Sequence, residues 1–128
     1  MNARVLYIED NPINVDLVRK MLHKLAYEVL NAEDAITGLD MAHQEKPDLI
    51  LMDVNLPGIS GIEATQRLKA DPMLAHIPVI GLTADDTITT RRRMQSVGCD
   101  GFLLKPFRIA ELHKVVGQFL RTGSTQPL

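Results

Sequence analysis

Five polar side chains that could bind a metal or take part in catalysis each follow an apolar run of this sequence. They are Glu9 and Asp10 after residues 4–8, Asp53 after 48–52, Thr83 after 78–82 and Lys105 after 101–104. A carboxylate at the end of a buried strand is unfavourable unless a partner or a ligand compensates its charge. Three acids, a hydroxyl and an amine in equivalent positions therefore indicate a site.

Helix capping is the simplest alternative explanation for polar residues that follow a strand. The sequence offers other residues for that role: Asn11 before Pro12, Ser60 in a capping box, and Asp85 or Asp86 before the fourth helix. Capping thus leaves the three acids at the strand ends without a structural role, which favours a functional one.

The acids predict a cation site, because neighbouring strands lie about 4.8 Å apart. Two unit charges 5 Å apart repel by roughly 3 kcal/mol at an effective dielectric of about 20. Carboxylate oxygens without His or Cys favour Mg²⁺ or Mn²⁺ over zinc. Because Mg²⁺ also binds phosphate, the pattern indicates phosphoryl chemistry, with Lys105 and Thr83 contacting phosphate and Asp53 as nucleophile.

The elements that must position these residues alternate between strands and helices. Apolar runs at 4–8, 28–31, 48–52, 78–82 and 101–104 predict five strands, mostly buried on both faces. Helices are predicted over 13–25, with a core stripe of Ile13, Leu17, Met21 and Leu25, and over 109–120, with Ile109, Leu112, Val116 and Phe119. Five βα units predict an α/β, doubly wound parallel sheet, whose ligands bind outside the carboxyl ends of the strands.

Length and composition are those of one ordinary soluble domain. The 128 residues predict a domain over 1–121 and a flexible tail or truncated linker over 122–128. A net charge of −2 gives no bulk attraction to nucleic acid or membrane, and no apolar run is long enough to span a bilayer. With one cysteine, Cys99, and no room for a signal peptide, we expect a cytoplasmic protein.

In their order and spacing, these motifs resemble the response regulator receiver domain, the CheY-like module of two-component signalling. The matching segments are Glu9-Asp10, Met52-Asp53-Val54-Asn55-Leu56-Pro57-Gly58, Thr83-Ala84 and Lys105-Pro106-Phe107. The resemblance covers residues 3–121 and implies a flavodoxin-like sheet with strand order 2-1-3-4-5.

The resemblance implies a phosphoacceptor switch without activity on other substrates. Asp53 would accept a phosphoryl group from a histidine kinase or histidine phosphotransfer protein. Asp10, Asp53 and the backbone carbonyl of Asn55 would bind Mg²⁺, with Glu9 acting through water. Lys105 would pair with the phosphoryl oxygen or the free carboxylate.

The resemblance also implies how the signal leaves the domain. Thr83 and Phe102 would move together and repack the face formed by the fourth helix, fifth strand and fifth helix, which would act on a partner or an attached output domain. Glu9 stands where Asp is commoner, and Phe102 stands where many members have Tyr, so packing alone would report the switch. The peptide bond between Lys105 and Pro106 is expected to be cis on the same resemblance.

Two enzyme classes with strand-end acids compete with this interpretation. A Mg²⁺-dependent aspartyl-phosphate phosphatase of the haloacid-dehalogenase type needs Asp-x-Asp on its first strand, where this chain has Glu9-Asp10. A Toprim-like nuclease needs Asp-x-Asp where Asn55 follows Asp53. A receiver reduced to a docking domain would lack an acid, the Thr or the Lys, and none is missing.

The sequence allows two interpretations of the residues beside the phosphoryl site, of an arginine cluster and of the extent of the chain. Asn55 and Asp85 flank the expected phosphoryl group and are predicted to set the dephosphorylation rate, although Asp85 could equally be only a helix cap. Arg91-Arg92-Arg93 are either a solvated helix face or an ion-pairing surface for a phosphorylation-dependent homodimer or a partner. The chain is either a stand-alone regulator or a receiver excised from a larger protein.

Overall fold

The computed structural model describes residues 2–85 and 87–120, in which five strands alternate with five helices. The strands are β1 (Arg4–Ile8), β2 (Glu28–Ala32), β3 (Leu49–Asp53), β4 (Val79–Thr83) and β5 (Gly101–Leu104). The helices are α1 (Pro12–His23), α2 (Ala35–Glu45), α3 (Gly61–Ala70), α4 (Ile88–Ser96) and α5 (Ile109–Phe119). Each predicted strand is present, with its ends at most one residue from the predicted position.

The strands form one parallel sheet in the order β2-β1-β3-β4-β5, which confirms the predicted fold. Strand order reverses between β1 and β3, so a ligand crevice is expected at the carboxyl ends of these two strands. The last residue of β3, Asp53, lies opposite Leu82 of β4 in the register. The sheet therefore brings the polar residues that follow β1, β3, β4 and β5 to one edge.

Apolar side chains cover both faces of the sheet. One core cluster includes Val5, Tyr7, Leu49 and Leu51 and packs against α1 and α5. The other includes Leu6, Ile8, Ile50 and Met52 and packs against α2 and α3. All five residues of β3 and all five of β4 are buried, so the sheet holds their carboxyl ends in fixed positions.

The predicted core stripe of α1 is confirmed only at Met21, which packs against the core, and is wrong at the other three residues. Ile13 is 69% exposed, Leu17 49% and Leu25 39%, whereas Val15, Val18 and Leu22 face the core. Residues four apart advance by about 40° around a helix, and the second set lies on another side of α1. The helix is apolar on two faces, and apart from Met21 the spacing pattern selected the residues that face solvent.

The helix α5 follows its predicted pattern except at its first residue. Leu112 and Val116 are buried, but Ile109 at the first turn is 38% exposed and Phe119 is partly buried. The helix ends at Phe119, next to the predicted end at residue 120.

Two predicted helix caps are confirmed and one is wrong. The side chain of Asn11 accepts the N–H of Ile13, with Pro12 in the first turn, and Ser60 accepts the N–H of Glu63. The N-cap of α4 is Thr87 rather than Asp85, because the Asp85 carboxylate accepts the Thr87 N–H and the helix begins after it. Asp86 lies outside the described residues.

The predicted tail over 122–128 lies outside the described residues, as does the boundary at 121. None of the helices in residues 2–85 and 87–120 has the length and apolar character needed to cross a bilayer.

Candidate functional site at the carboxyl edge of the sheet

The predicted site residues come together at the end of the sheet. Asp53 and Thr83 are the last residues of β3 and β4, Glu9 and Asp10 follow β1 directly, and Lys105 follows β5. Glu9, Asp10 and Asp53 each place a carboxylate oxygen within 4.8 Å of the others. The acidic cluster predicted from the sequence is thus present, and it draws on two adjacent strands.

Lys105 brings the compensating positive charge to this cluster. Its Nζ lies 3.1 Å from Glu9 Oε1 and 3.5 Å from Asp53 Oδ2. The peptide bond between Lys105 and Pro106 is cis, as expected. One ammonium group faces two buried carboxylates, so Lys105 alone does not balance the negative charge of the site.

Asp53 carries a carboxyl whose charged form is disfavoured. Asp53 is only 5% exposed, and burial raises its pKa to about 6. The Lys105 charge and the N–H of Asn55, which donates to Oδ1 at 3.0 Å, oppose that rise, while Glu9 adds to it. A divalent cation beside this group would favour the ionised form.

Glu9 is even more buried, at 2% exposure, yet it is held as a carboxylate. Burial alone would raise the pKa of Glu9, but Lys105, the Asn11 N–H and the Tyr7 hydroxyl together lower it below its ordinary value. Tyr7 Oη donates to Oε1 at 2.9 Å and Asn11 N donates to Oε2 at 3.2 Å. The two oxygens of Glu9 therefore each have a donor from the protein.

Tyr7 is the site residue that sequence reasoning missed. The sequence carried a signal, because Tyr7 and Glu9 are two apart, and alternate residues of a strand share a face. A buried tyrosine also needs a partner for its hydroxyl. In the sequence, Tyr7 stands within the apolar run at 4–8, which hides its hydroxyl among core residues.

The loop after Asp53 closes back on the strand end. Gly61 N donates to the Val54 carbonyl at 3.0 Å, and a Cβ at position 61 would lie 2.2 Å from the Asp53 carbonyl oxygen. Only glycine fits this approach without a shift of backbone. The start of α3 thus fixes the backbone that carries Asp53 and Asn55.

The donor set fits Mg²⁺. The clustered atoms are carboxylate oxygens, which are hard ligands, and Asp10 is exposed, so bound water has access. Neither His nor Cys belongs to the cluster found among the described residues, which argues against zinc. Asp10 and Asp53, with the Asn55 carbonyl and with Glu9 through water, would hold the ion.

Thr83 and Phe102 lie on the side of the site towards α4. Thr83 is fully buried and its hydroxyl accepts the N–H of Asp85 at 3.0 Å. The Arg91 guanidinium lies over the Phe102 ring, 5.0 Å from the centroid. Since Arg91 belongs to α4 and Phe102 to β5, this contact joins two of the three elements of the expected output face.

Asp85 is engaged at the start of α4. Its Oδ2 accepts the Thr90 hydroxyl at 2.8 Å, and its Oδ1 accepts the Thr87 N–H at 3.0 Å. Hydrogen bonds from Thr90 and then Thr87 lower the pKa of Asp85. The structure therefore gives Asp85 a local role in ordering α4, and its predicted influence on dephosphorylation stays a prediction.

A parallel five-stranded α/β sheet with an acidic cluster and a lysine at its carboxyl edge is the arrangement expected of a receiver domain of two-component signalling. The chain belongs to the response regulator receiver domain family, whose model matches residues 5–117.

Individual relatives support this assignment over almost the whole chain. The polar-differentiation response regulator DivK of Brucella anthropi is 36% identical over 120 residues, which are 94% of this chain and 98% of DivK. The receiver domain of a sensor histidine kinase from Pseudomonas aeruginosa is 32% identical with a TM-score of 0.87, covering 95% of this chain and 100% of that one. That structure has a magnesium ion coordinated in its active site cleft.

A chemotaxis protein is a second solved structure to which this chain is similar. CheY4 of Vibrio cholerae is 28% identical with a TM-score of 0.88, and the match covers 94% of this chain and 100% of CheY4. The fold and the family are therefore those expected from the motifs.

Proposed function

We propose that this receiver domain is a phosphoacceptor switch in which Asp53 takes a phosphoryl group from a phosphohistidine. The observation that carries the proposal is a buried Asp53 whose carboxylate lies against Glu9, Asp10 and Lys105 at the carboxyl edge of the sheet. The donor would be a histidine kinase or a histidine phosphotransfer protein.

The reaction is a transfer between two side chains. A carboxylate oxygen of Asp53 attacks phosphorus, the bond from phosphorus to the donor imidazole nitrogen breaks, and the imidazole leaves with that electron pair. Mg²⁺, when bound, supplies positive charge to the phosphoryl oxygens. Lys105 is already 3.5 Å from Asp53 Oδ2 and stabilises the negative charge there. Slow attack of water on the acyl phosphate resets the switch, and we propose that Asn55 and Asp85 influence that rate.

The exposed face of α1 supports a protein as the donor. Ile13 and Leu17 are exposed on the helix that starts beside Glu9 and Asp10, and Met21 packs partly against the core. Leu17 and Met21 also line a cavity of about 340 Å³ that reaches Lys105, Pro106 and Phe107. An apolar surface this close to Asp53 suits the helix that presents the donor histidine.

The output would leave through α4, β5 and α5. Phosphorylation would draw the Thr83 hydroxyl towards the phosphoryl group, and Phe102 would repack beneath Arg91. Such a movement is a two-state change that the added charge biases. A downstream protein, an attached output domain or a second receiver would bind the changed face.

Phosphorylation by acetyl phosphate tests the proposal without a kinase. Wild-type protein with Mg²⁺ should gain the mass of one phosphoryl group, and Asp53→Asn should gain none. Asp40→Asn, an exposed carboxylate on α2, is the matched control and should behave as wild type. Modification of the Asp53→Asn protein, or none in wild type, would contradict the proposal.

The same samples separate a switch from an enzyme. A switch turns over only its own acyl phosphate, so p-nitrophenyl phosphate should not be hydrolysed above the rate of the Asp53→Asn protein. Multiple turnovers that depend on Asp53 would instead identify a Mg²⁺-dependent aspartyl-phosphate phosphatase.

A further inference from the structure

Tyr7 is a polar residue on β1, an interior strand of the sheet, and the proposed phosphotransfer does not use it. Only 1% of its surface is exposed, and it belongs to the core cluster beneath α1 and α5. It also lines the cavity beside α1. Its hydroxyl reaches along β1 and donates to Glu9 Oε1 at 2.9 Å.

Glu9 needs an orienting contact more than an aspartate would. Its side chain has one more rotatable bond than Asp, so its carboxylate can occupy more positions. The carboxylate receives three donors: Tyr7 Oη and Lys105 Nζ on Oε1, and Asn11 N on Oε2. These contacts fix its direction towards the cluster with Asp10 and Asp53.

The three donors are not equally permanent. Lys105 is the one that the proposed function redirects to the phosphoryl group, because it also lies near Asp53. Asn11 N holds only the other oxygen, Oε2. Tyr7, whose ring is packed in the core, is therefore the lasting contact to Oε1 when Lys105 moves.

We infer that Tyr7 is a positioning residue that holds the Glu9 carboxylate in place for the metal-bound water. The inference rests on the proposed function, because it assigns Tyr7 a part in the same Mg²⁺ site. In this pair, the hydrogen bond from the Tyr7 hydroxyl restricts the extra rotatable bond that Glu9 has compared with an aspartate. Partners that orient metal ligands in this way commonly affect metal affinity.

Tyr7→Phe removes the hydroxyl and keeps the ring, so it tests the contact with little change in packing. Calorimetric titration with Mg²⁺ should show about tenfold weaker binding than wild type. Tyr27→Phe is the matched control, since Tyr27 precedes β2 at the opposite end of the sheet and is only partly buried. Its Mg²⁺ affinity should equal that of wild type.

A double-mutant cycle separates positioning from a general effect on stability. In a Glu9→Asp background the shorter acid withdraws from the hydroxyl, so adding Tyr7→Phe should change Mg²⁺ affinity by less than about twofold. Chemical denaturation in EDTA gives the stability of each variant independently of metal. A tyrosine that is only a core residue would change stability in both backgrounds and metal affinity in neither.

The outcomes distinguish this inference from the proposed function. If Tyr7→Phe binds Mg²⁺ within about twofold of wild type, or weakens it equally in both backgrounds, the positioning role is wrong. The acetyl phosphate experiment on Asp53 is unaffected by that result. If wild type itself binds no Mg²⁺, both the inference and the metal-dependent function fail.

Discussion

Asp53 is buried beside two other acids, and this arrangement makes its negative charge unfavourable until a cation is present. Lys105 neutralises part of the charge but is shared with Glu9. The raised pKa of Asp53 follows first from burial, so it is a property of the fold as well as of the neighbours.

This predicts a pH-dependent stability in the metal-free protein. The folded pKa of Asp53 is about 6 against an ordinary 3.8, so the native state holds its proton more tightly than the unfolded chain. Its contribution to the free energy of unfolding therefore falls as pH rises from about 4 to 6, by about 1–3 kcal/mol, and stays low above pH 6.

Asp53→Asn should remove this penalty. Urea denaturation in EDTA should show the variant more stable than wild type by about 1–3 kcal/mol at pH 7, and by much less at pH 4. Asp40→Asn should show no such gain. If the free energy of unfolding rose equally at both pH values, the stabilisation would come from packing and not from the removal of a charge.

At the scale of elements, α1 presents an apolar stripe to solvent next to the site. Ile13 is 69% exposed and Leu17 is 49% exposed, although α1 already packs on the sheet through Val15, Val18 and Leu22. A solvated helix that only covers the sheet would gain nothing from large apolar residues there, whereas a docking helix would.

Leu17→Asp should therefore impair transfer from a protein donor and leave small-molecule phosphorylation intact. With a histidine phosphotransfer protein, the rate should fall at least about tenfold, equivalent to roughly 1.4 kcal/mol of lost binding. With acetyl phosphate it should stay within about twofold of wild type. The matched control is Ile36→Asp on α2, equally exposed but on a helix that does not begin at the site. If the rate fell equally with both donors, the substitution would be acting on the site itself or on folding, and not on the docking of the protein donor.

The strands and the site edge could be predicted from sequence because their signals are continuous. A run such as Leu49–Asp53 is apolar up to its last residue, so its end and its polar successor are visible together. The α1 core face could not be predicted in the same way, because the helix has two apolar faces and only packing on the sheet selects one. The α4 cap depends on which of several adjacent polar side chains accepts an N–H of the first helical turn, and the sequence does not distinguish them. The role of Tyr7 depends on the distance from its hydroxyl to Glu9, which only the folded structure gives.

For the whole molecule, the acidic cluster links metal binding to the folded state. Its carboxylates come from β1 and β3, which become neighbours only in the assembled sheet. An ion that binds only the native state stabilises it by about 2.7 kcal/mol at a concentration one hundred times its dissociation constant.

Saturating Mg²⁺ should accordingly raise the free energy of unfolding of wild type at pH 7 by about 1–3 kcal/mol. Asp53→Asn should lose most of that gain, and a sodium salt of equal ionic strength should not reproduce it. Equal stabilisation of wild type and variant would show that the ion acts on the general surface charge and not at the cluster.

The ion pair between Lys105 and Glu9 joins residues 96 positions apart in the chain. During synthesis the acceptor carboxylate of Asp53 is therefore made long before the ammonium group that completes its surroundings. A nascent chain lacking β5 has every acid and no counter-charge, and it should be a poor phosphoryl acceptor. We therefore expect phosphorylation of Asp53 to require the complete sheet, because Lys105 reaches the site only when β5 has joined it.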